Sequence, residues 1–167
     1  MKLSVGKIAF PIEFDNGDKD VIYFNPNDPD LASRLMNAKN KIDTKIKDLN
    51  TDDFNLLNDG SIEIPENIND VNEFSDEQRE TIEKRAEQMT RLMDNTKNII
   101  YEELDKAFDS DISSVVFKHC SPFAIIGGEH FITQFLNAIA PEIQKHIKKS
   151  NADMEKKMSK HIGKYRK

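Results

Sequence analysis

The sequence predicts an α+β fold that is mostly α. An N-terminal β-hairpin leads into a helical bundle with one long helix and a basic C-terminal helix. Three observations predict it. Residues 8–14 alternate apolar with other residues up to an Asn-Gly pair, the pattern of a half-buried strand entering a hairpin. Apolar residues recur at three- and four-residue steps over 31–49, 82–107 and 131–147, the period of amphipathic helices. Residues 112–147 hold 18 apolar residues in 36 and only four charges, against 37% hydrophobic residues in the whole chain. That stretch is the core material around which the rest folds.

In the hairpin, Ile8, Phe10, Ile12 and Phe14 share one face. A two-residue turn at Asn16-Gly17, both at positive φ, sets Ile12 opposite Val21 and Phe10 opposite Tyr23, so that the apolar faces agree. Pro11 donates no backbone hydrogen bond and belongs at an outward position of an edge strand. Two strands are marginal in water. A helix beneath, or a third strand from residues 2–5 or 61–64, completes a small antiparallel sheet. A free edge is also open to a partner's strand.

Asp28 caps the first helix with Pro29 in its first position, and Leu31, Leu35, Ala38, Ile42, Ile46 and Leu49 line its buried face. Residues 50–74 lose periodicity and read as a polar connector or lid. Ser75 and Gln78 have capping-box spacing and open the longest helix. Ile82, Ala86, Met89, Met93, Ile100, Leu104 and Ala107 form its stripe, interrupted at Thr96. About thirty residues span on the order of 45 Å, more than a small domain's own core needs, so part of this helix is free to cross a neighbouring molecule.

Asp109-Ser110-Asp111 ends it and caps a short helix over 112–118. Ser121-Pro122 begins another, Gly127-Gly128 stops it, and Glu129 stands at the N-terminus of the last core helix, which carries Phe131, Phe135, Leu136, Ile139, Ile143 and Ile147. Pro141 kinks or divides that helix. Beyond Ser150, Met154, Met158, Ile162 and Tyr165 form a weak stripe in a frayed basic helix that orders on contact. The domain organisation is a single α+β domain over 1–149, with the hairpin in 1–24 and the connector in 50–74, followed by a basic tail over 150–167.

At 32% charged residues and a mean hydropathy of -0.66, the chain is polar for a compact fold. Its net charge of -6 divides unevenly. Residues 145–167 carry nine Lys or Arg against two acids, net +7, which leaves -13 on residues 1–144. Such a division favours an acidic partner for the tail, or the body itself. No run approaches the ~18 apolar residues of a membrane span, and residues 1–5 hold no signal-peptide core, so the expected location is the cytoplasm.

Catalytic arrangements are missing from the pattern. Phosphate loops, paired Cys motifs, His-Glu-x-x-His and Gly-x-Ser-x-Gly do not occur, and His119, His130, His146 and His161 are dispersed. Neither an enzyme nor a cofactor or metal is expected. Cys120 reads as a small buried hydrophobe, and Glu129-His130 as a charge at a helix start beside a surface imidazole.

Two stretches, VIYFNPNDPDLASRL over 21–35 and HCSPFAIIGGEHFITQFLNAIAPEI over 119–143, resemble the small tail assembly chaperones of long-tailed phages and prophages of Gram-positive bacteria. The resemblance rests on Phe24 to Asp28, Cys120 to Phe123, Gly127, Gly128, Phe135, Leu136 and Pro141, about 40 residues in all; residues 50–74 have no counterpart in it. It implies a non-enzymatic chaperone in the host cytoplasm. Such a protein holds the tape measure protein soluble, helps recruit tail tube subunits and is not part of the mature virion. The partner-binding residues it points to are Met89, Met93, Phe131, Phe135 and Ile139 for apolar helices, with Lys156, Lys157, Lys160 and Lys164 for an acidic component. A homo-oligomer is compatible with it, and nucleic acid is the less favoured partner because the acidic body repels phosphate. The competing readings are a nucleic-acid-binding or regulatory phage protein that uses the basic C-terminus, and a structural tail or capsid component.

Overall fold

The computed structural model describes residues 1, 3–58 and 75–164, without the side chains of 50–58, 154, 157 and 160–164. Its elements run β1 (Ile8–Glu13), β2 (Lys19–Phe24), α1 (Leu31–Asn58), α2 (Asp76–Phe108), α3 (Ser113–Val116), β3 (Ile125–Ile126), β4 (Glu129–His130) and α4 (Phe131–Lys164). The fold is α+β and mostly helical. The chain divides into two compact units, Met1–Lys39 with Tyr101–Lys167, and Asn40–Ile100; α1 and α2 contribute residues to both.

The hairpin forms, in a register one residue away from the expected one. Phe10 pairs with Ile22 and Ile12 with Asp20. The loop has three residues, not two: the N–H groups of Phe14 and Gly17 bond the carbonyls of Asp18 and Phe14 at 2.8 and 2.9 Å. Only Gly17, at φ 87°, takes a positive φ there, while Asn16 spends its side-chain oxygen on the N–H of Asp18 at 3.0 Å. This is the turn plus left-handed residue of a three-residue hairpin loop. A one-residue slip exchanges the faces of a strand. Ile22 and Phe24 are therefore the buried residues of β2, 1% and 0% exposed, and Tyr23 is 50% exposed.

No third strand joins the hairpin among the described residues: residues 3–5 are irregular, and 61–64 lie outside them. Rings support it instead. Phe24 lies 6.0 Å from Phe10, 6.0 Å from Phe108 on α2 and 6.3 Å from His146 on α4. Burial of Ile22 and Phe24 contributes about 1.5–3 kcal/mol each, which a bare two-stranded ribbon lacks. The loop end is held separately, where Asp18 meets His119 at 3.0 Å and Asp20 meets Lys118 at 3.5 Å.

Asp28 and Pro29 lie just before α1, which begins at Leu31 and not at Pro29. The Asp28 carboxylate accepts the N–H of Asp30 at 2.9 Å and its carbonyl that of Leu31 at 3.2 Å, a turn that caps the entry to the helix. Arg34 holds that cap at 2.8 Å and donates from Nε to the carbonyl of Ala107 at 3.0 Å, near the end of α2. Its guanidinium holds the Asp28 carboxyl below the usual carboxylate range, with the Asp30 N–H as the second cause. The capping box at Ser75 and Gln78 is closed in both directions, at 2.9 and 3.2 Å. The far end of α2 turns on Asp109, at φ 50°. Ser110 bonds back to Asp105 at 3.2 Å and Asp109 to Lys106 at 3.4 Å, the paired closure of a helix C-terminus. Lys7 reaches both the carbonyl and the carboxylate of Asp109.

Two expectations fail between 109 and 141, and a third fails in part. The short helix is capped mainly by Asp105, whose Oδ1 accepts the N–H groups of Ile112 and Ser113 at 2.8 Å each; Asp111 reaches Ser114 only at 3.4 Å. Residues 121–130 are not helical. Ile125–Ile126 pairs with Glu129–His130 around Gly127-Gly128, at φ 61° and 90°, a two-residue hairpin turn with both φ positive. The glycines thus close a small hairpin, Glu129 sits in its second strand, and α4 begins at Phe131. The loop carbonyls of Ala124 and Pro122 accept the N–H groups of Phe131 and Ile132 at 2.8 and 3.2 Å, filling the role of a side-chain cap. Finally, Pro141 does not divide α4. It is exposed, so the carbonyl it leaves without a donor faces water, while Leu136, Ile139 and Ile143 stay buried on the opposite side.

Candidate interaction surface

Apolar side chains left uncovered are the feature to locate, because their exposure has no reward within the chain. On α2 the sequence stripe changes character at Thr96. From there it is buried, with Ile100 and Leu104 fully so. Before it, Ala86 is exposed, Met89 is half-buried, and Ile82 and Met93 are 37% and 38% exposed. The N-terminal half of α2 therefore keeps an open apolar face within the unit Asn40–Ile100. Met89 and Met93, chosen from sequence as partner-binding residues, lie on it.

Phe131, Phe135 and Ile139 have a different place. Ile139 is 4% exposed, a core residue and no part of a surface. Phe131 stands 6.1 Å from Phe117, which stacks on Tyr101 at 5.1 Å, and Phe135 stands 6.5 Å from Phe108. Both rings are half-buried and belong to the aromatic interior of their unit. The helical period that marks them is equally the signature of a core stripe, which Ile139 joins fully and the two rings join in part. At the basic end, Lys156 is exposed on α4. The backbone is helical through Lys164, and the side chains of Lys157, Lys160 and Lys164 lie outside the described ones.

One surface escaped the sequence reading. The β3–β4 hairpin presents Ile125, 71% exposed, and Ile126, 45% exposed, with Glu129 paired across from Ile126. His130 steadies its base by an Nδ1 contact to the carbonyl of Phe123 at 3.0 Å, and Gln134 bonds the carbonyl of Ile126. Gly-Gly between Ile-Ile and Glu-His is itself a hairpin signal; the helical reading of 121–127 hid it.

The β1–β2 edges are less open than their length implies. Since Phe14 bonds Asp18, the alternation of an antiparallel ladder turns Ala9, Pro11 and Glu13 outward on β1, and Lys19, Val21 and Tyr23 outward on β2. Pro11 has no N–H, and the N–H of Val21 is taken by the Asp20 carboxylate at 2.9 Å. That bond is the first cause that lowers the pKa of Asp20; burial opposes it, and Lys118 and His119 add to the lowering. Both edges are thus interrupted at their centres.

Chemistry-bearing groups are few in this surface. Cys120 is half-buried, and its neighbour His119 is turned to Asp18. Among the described residues no three His, Cys, Asp or Glu side chains converge as a metal site, and no helix is long and apolar enough to cross a membrane. Compared with known proteins, the chain matches no protein-family model, no curated protein and no solved structure.

Proposed function

We propose that this chain is a non-enzymatic tail assembly chaperone of a long-tailed phage or prophage, acting in the host cytoplasm. It binds the tape measure protein and helps recruit tail tube subunits, and it leaves before the virion is complete. The observation that carries the reading is the open apolar stripe of α2: a helix of 33 residues, about 50 Å long, whose first half shows Ile82, Ala86 and Met93 to solvent. A tape measure helix presents apolar stripes of its own until the tube encloses it. Two such faces cover each other by helix packing, and methionine adapts to successive partner segments. Ile125 and Ile126 supply a second apolar contact, and the exposed lysines of α4 an acidic one. The resemblance over 21–35 and 119–143 supplies the biological context.

The test is co-expression with the tape measure protein of the same phage and co-purification of the pair. Met89→Glu with Met93→Glu abolishes recovery of the partner while leaving the far-ultraviolet circular dichroism unchanged. Full recovery with that variant, or no complex with the natural chain, refutes the reading. Binding to duplex DNA that falls steeply with salt would instead favour a nucleic-acid-binding role for α4.

A further inference from the structure

We propose that this chain self-associates by docking the acidic face of α2 onto the basic face of α4 in a second copy. At about 100° per residue, Asp76, Glu80, Glu83 and Glu87 fall within about 60° of one another on α2, all exposed. On α4, Lys145, Lys149, Ala152 and Lys156 fall within a similarly narrow sector, also all exposed. Both sets step by four, three and four residues, so each spans about 17 Å. Laid antiparallel, Asp76 meets Lys156, Glu83 meets Lys149 and Glu87 meets Lys145. Ala152 falls opposite Glu80, where a small side chain allows close approach. A four-three-four step is also the seam along which two helices stay in contact.

Neighbours on the same helices already engage these faces. Lys84 pairs with Glu80 at 2.6 Å, Arg91 with Glu87 at 3.5 Å, and Glu142 with Lys145 at 3.8 Å. All are exposed pairs, worth little each, and all can be exchanged for contacts across the seam. Charge division over the whole chain acts in the same direction: -13 on residues 1–144 and +7 on 145–167 attract one copy's end to another's body at long range. On α2 the acidic sector lies about a quarter to a third of a turn from the Ile82, Ala86 and Met93 stripe. Self-association therefore leaves that stripe open, and this inference holds whether or not the tape measure protein is its partner.

Light scattering on the full chain, coupled to size exclusion, tests the proposal. At about 50 mM salt the mass is at least twice the 19.2 kDa chain; at about 500 mM, with the screening length near 4 Å, the dissociation constant rises at least about tenfold and the mass falls toward one chain. Glu80→Lys, Glu83→Lys and Glu87→Lys together give a single-chain mass at low salt, as do Lys145→Glu, Lys149→Glu and Lys156→Glu. Mixing the two variants in equal amounts restores the larger species, because each then offers the stripe the other lacks. A single-chain mass for the natural protein at low salt overturns the proposal. So does an assembly that survives both reversals, or a mixture of folded variants that stays monomeric; if either variant fails to fold, the salt series on the natural chain decides.

Discussion

Replacing Phe24 by Ala measures the hairpin register in energetic form. Phe24 is 0% exposed and meets three rings, those of Phe10, Phe108 and His146, at 6.0–6.3 Å. Truncating such a residue costs about 3–5 kcal/mol, transfer and cavity contributions together, and the lost ring geometry places it in the upper half of that range. Its neighbour Tyr23 is 50% exposed on the opposite face, and Tyr23→Ala should cost no more than about 1 kcal/mol. For a chain of this size, the difference of about 3–5 kcal/mol separates the melting temperatures by roughly 6–20 °C. Urea unfolding followed by far-ultraviolet circular dichroism reads it as a shift of midpoint at constant slope. The two-residue turn would put Tyr23 opposite Phe10 and reverse the order. A larger loss for Tyr23→Ala than for Phe24→Ala would therefore refute the three-residue loop and the packing built on it.

Two further outcomes follow from the same structure. Because Arg34 and the Asp30 N–H lower the Asp28 pKa in the folded chain, Asp28 contributes stability above the ordinary carboxylate pKa near 4 and loses it as pH falls through the lowered folded value; Asp28→Asn should flatten the acid limb of a stability-against-pH curve without changing its alkaline limb. Gly128 sits at φ 90° with nothing within 4 Å of an added Cβ, so Gly128→Ala meets backbone strain alone, about 1 kcal/mol or somewhat more, seen as faster amide exchange at Ile126 and Glu129.

Much of this fold is written in local pattern. The α1 stripe from Leu31 to Leu49, the Asp28 cap and the Ser75–Gln78 box depend on residues within one or two turns of each other, and all were readable. The hairpin was readable too, but not its register: Asn16-Gly17 suits a two-residue and a three-residue loop alike. The choice falls to which of Tyr23 and Phe24 finds rings to meet on α2 and α4, a contact between residues more than eighty apart. The β3–β4 hairpin was misread because four strand residues are too few to show a period. On the candidate surface, Met89 and Met93 were legible as a helical stripe, whereas with the identical spacing Ile139 is buried and Phe131 and Phe135 are half-buried against other rings. Periodicity marks an apolar face without saying what covers it.

The blunted margins of the N-terminal ribbon bear on how this molecule behaves when it is abundant. At high concentration any chain with an open strand is at risk of growing strand upon strand into fibres, and a naked ribbon edge is the usual seed. With the Pro11 imino nitrogen on one margin and the Asp20 carboxylate occupying the Val21 amide on the other, a newcomer finds a gap in the middle of either template.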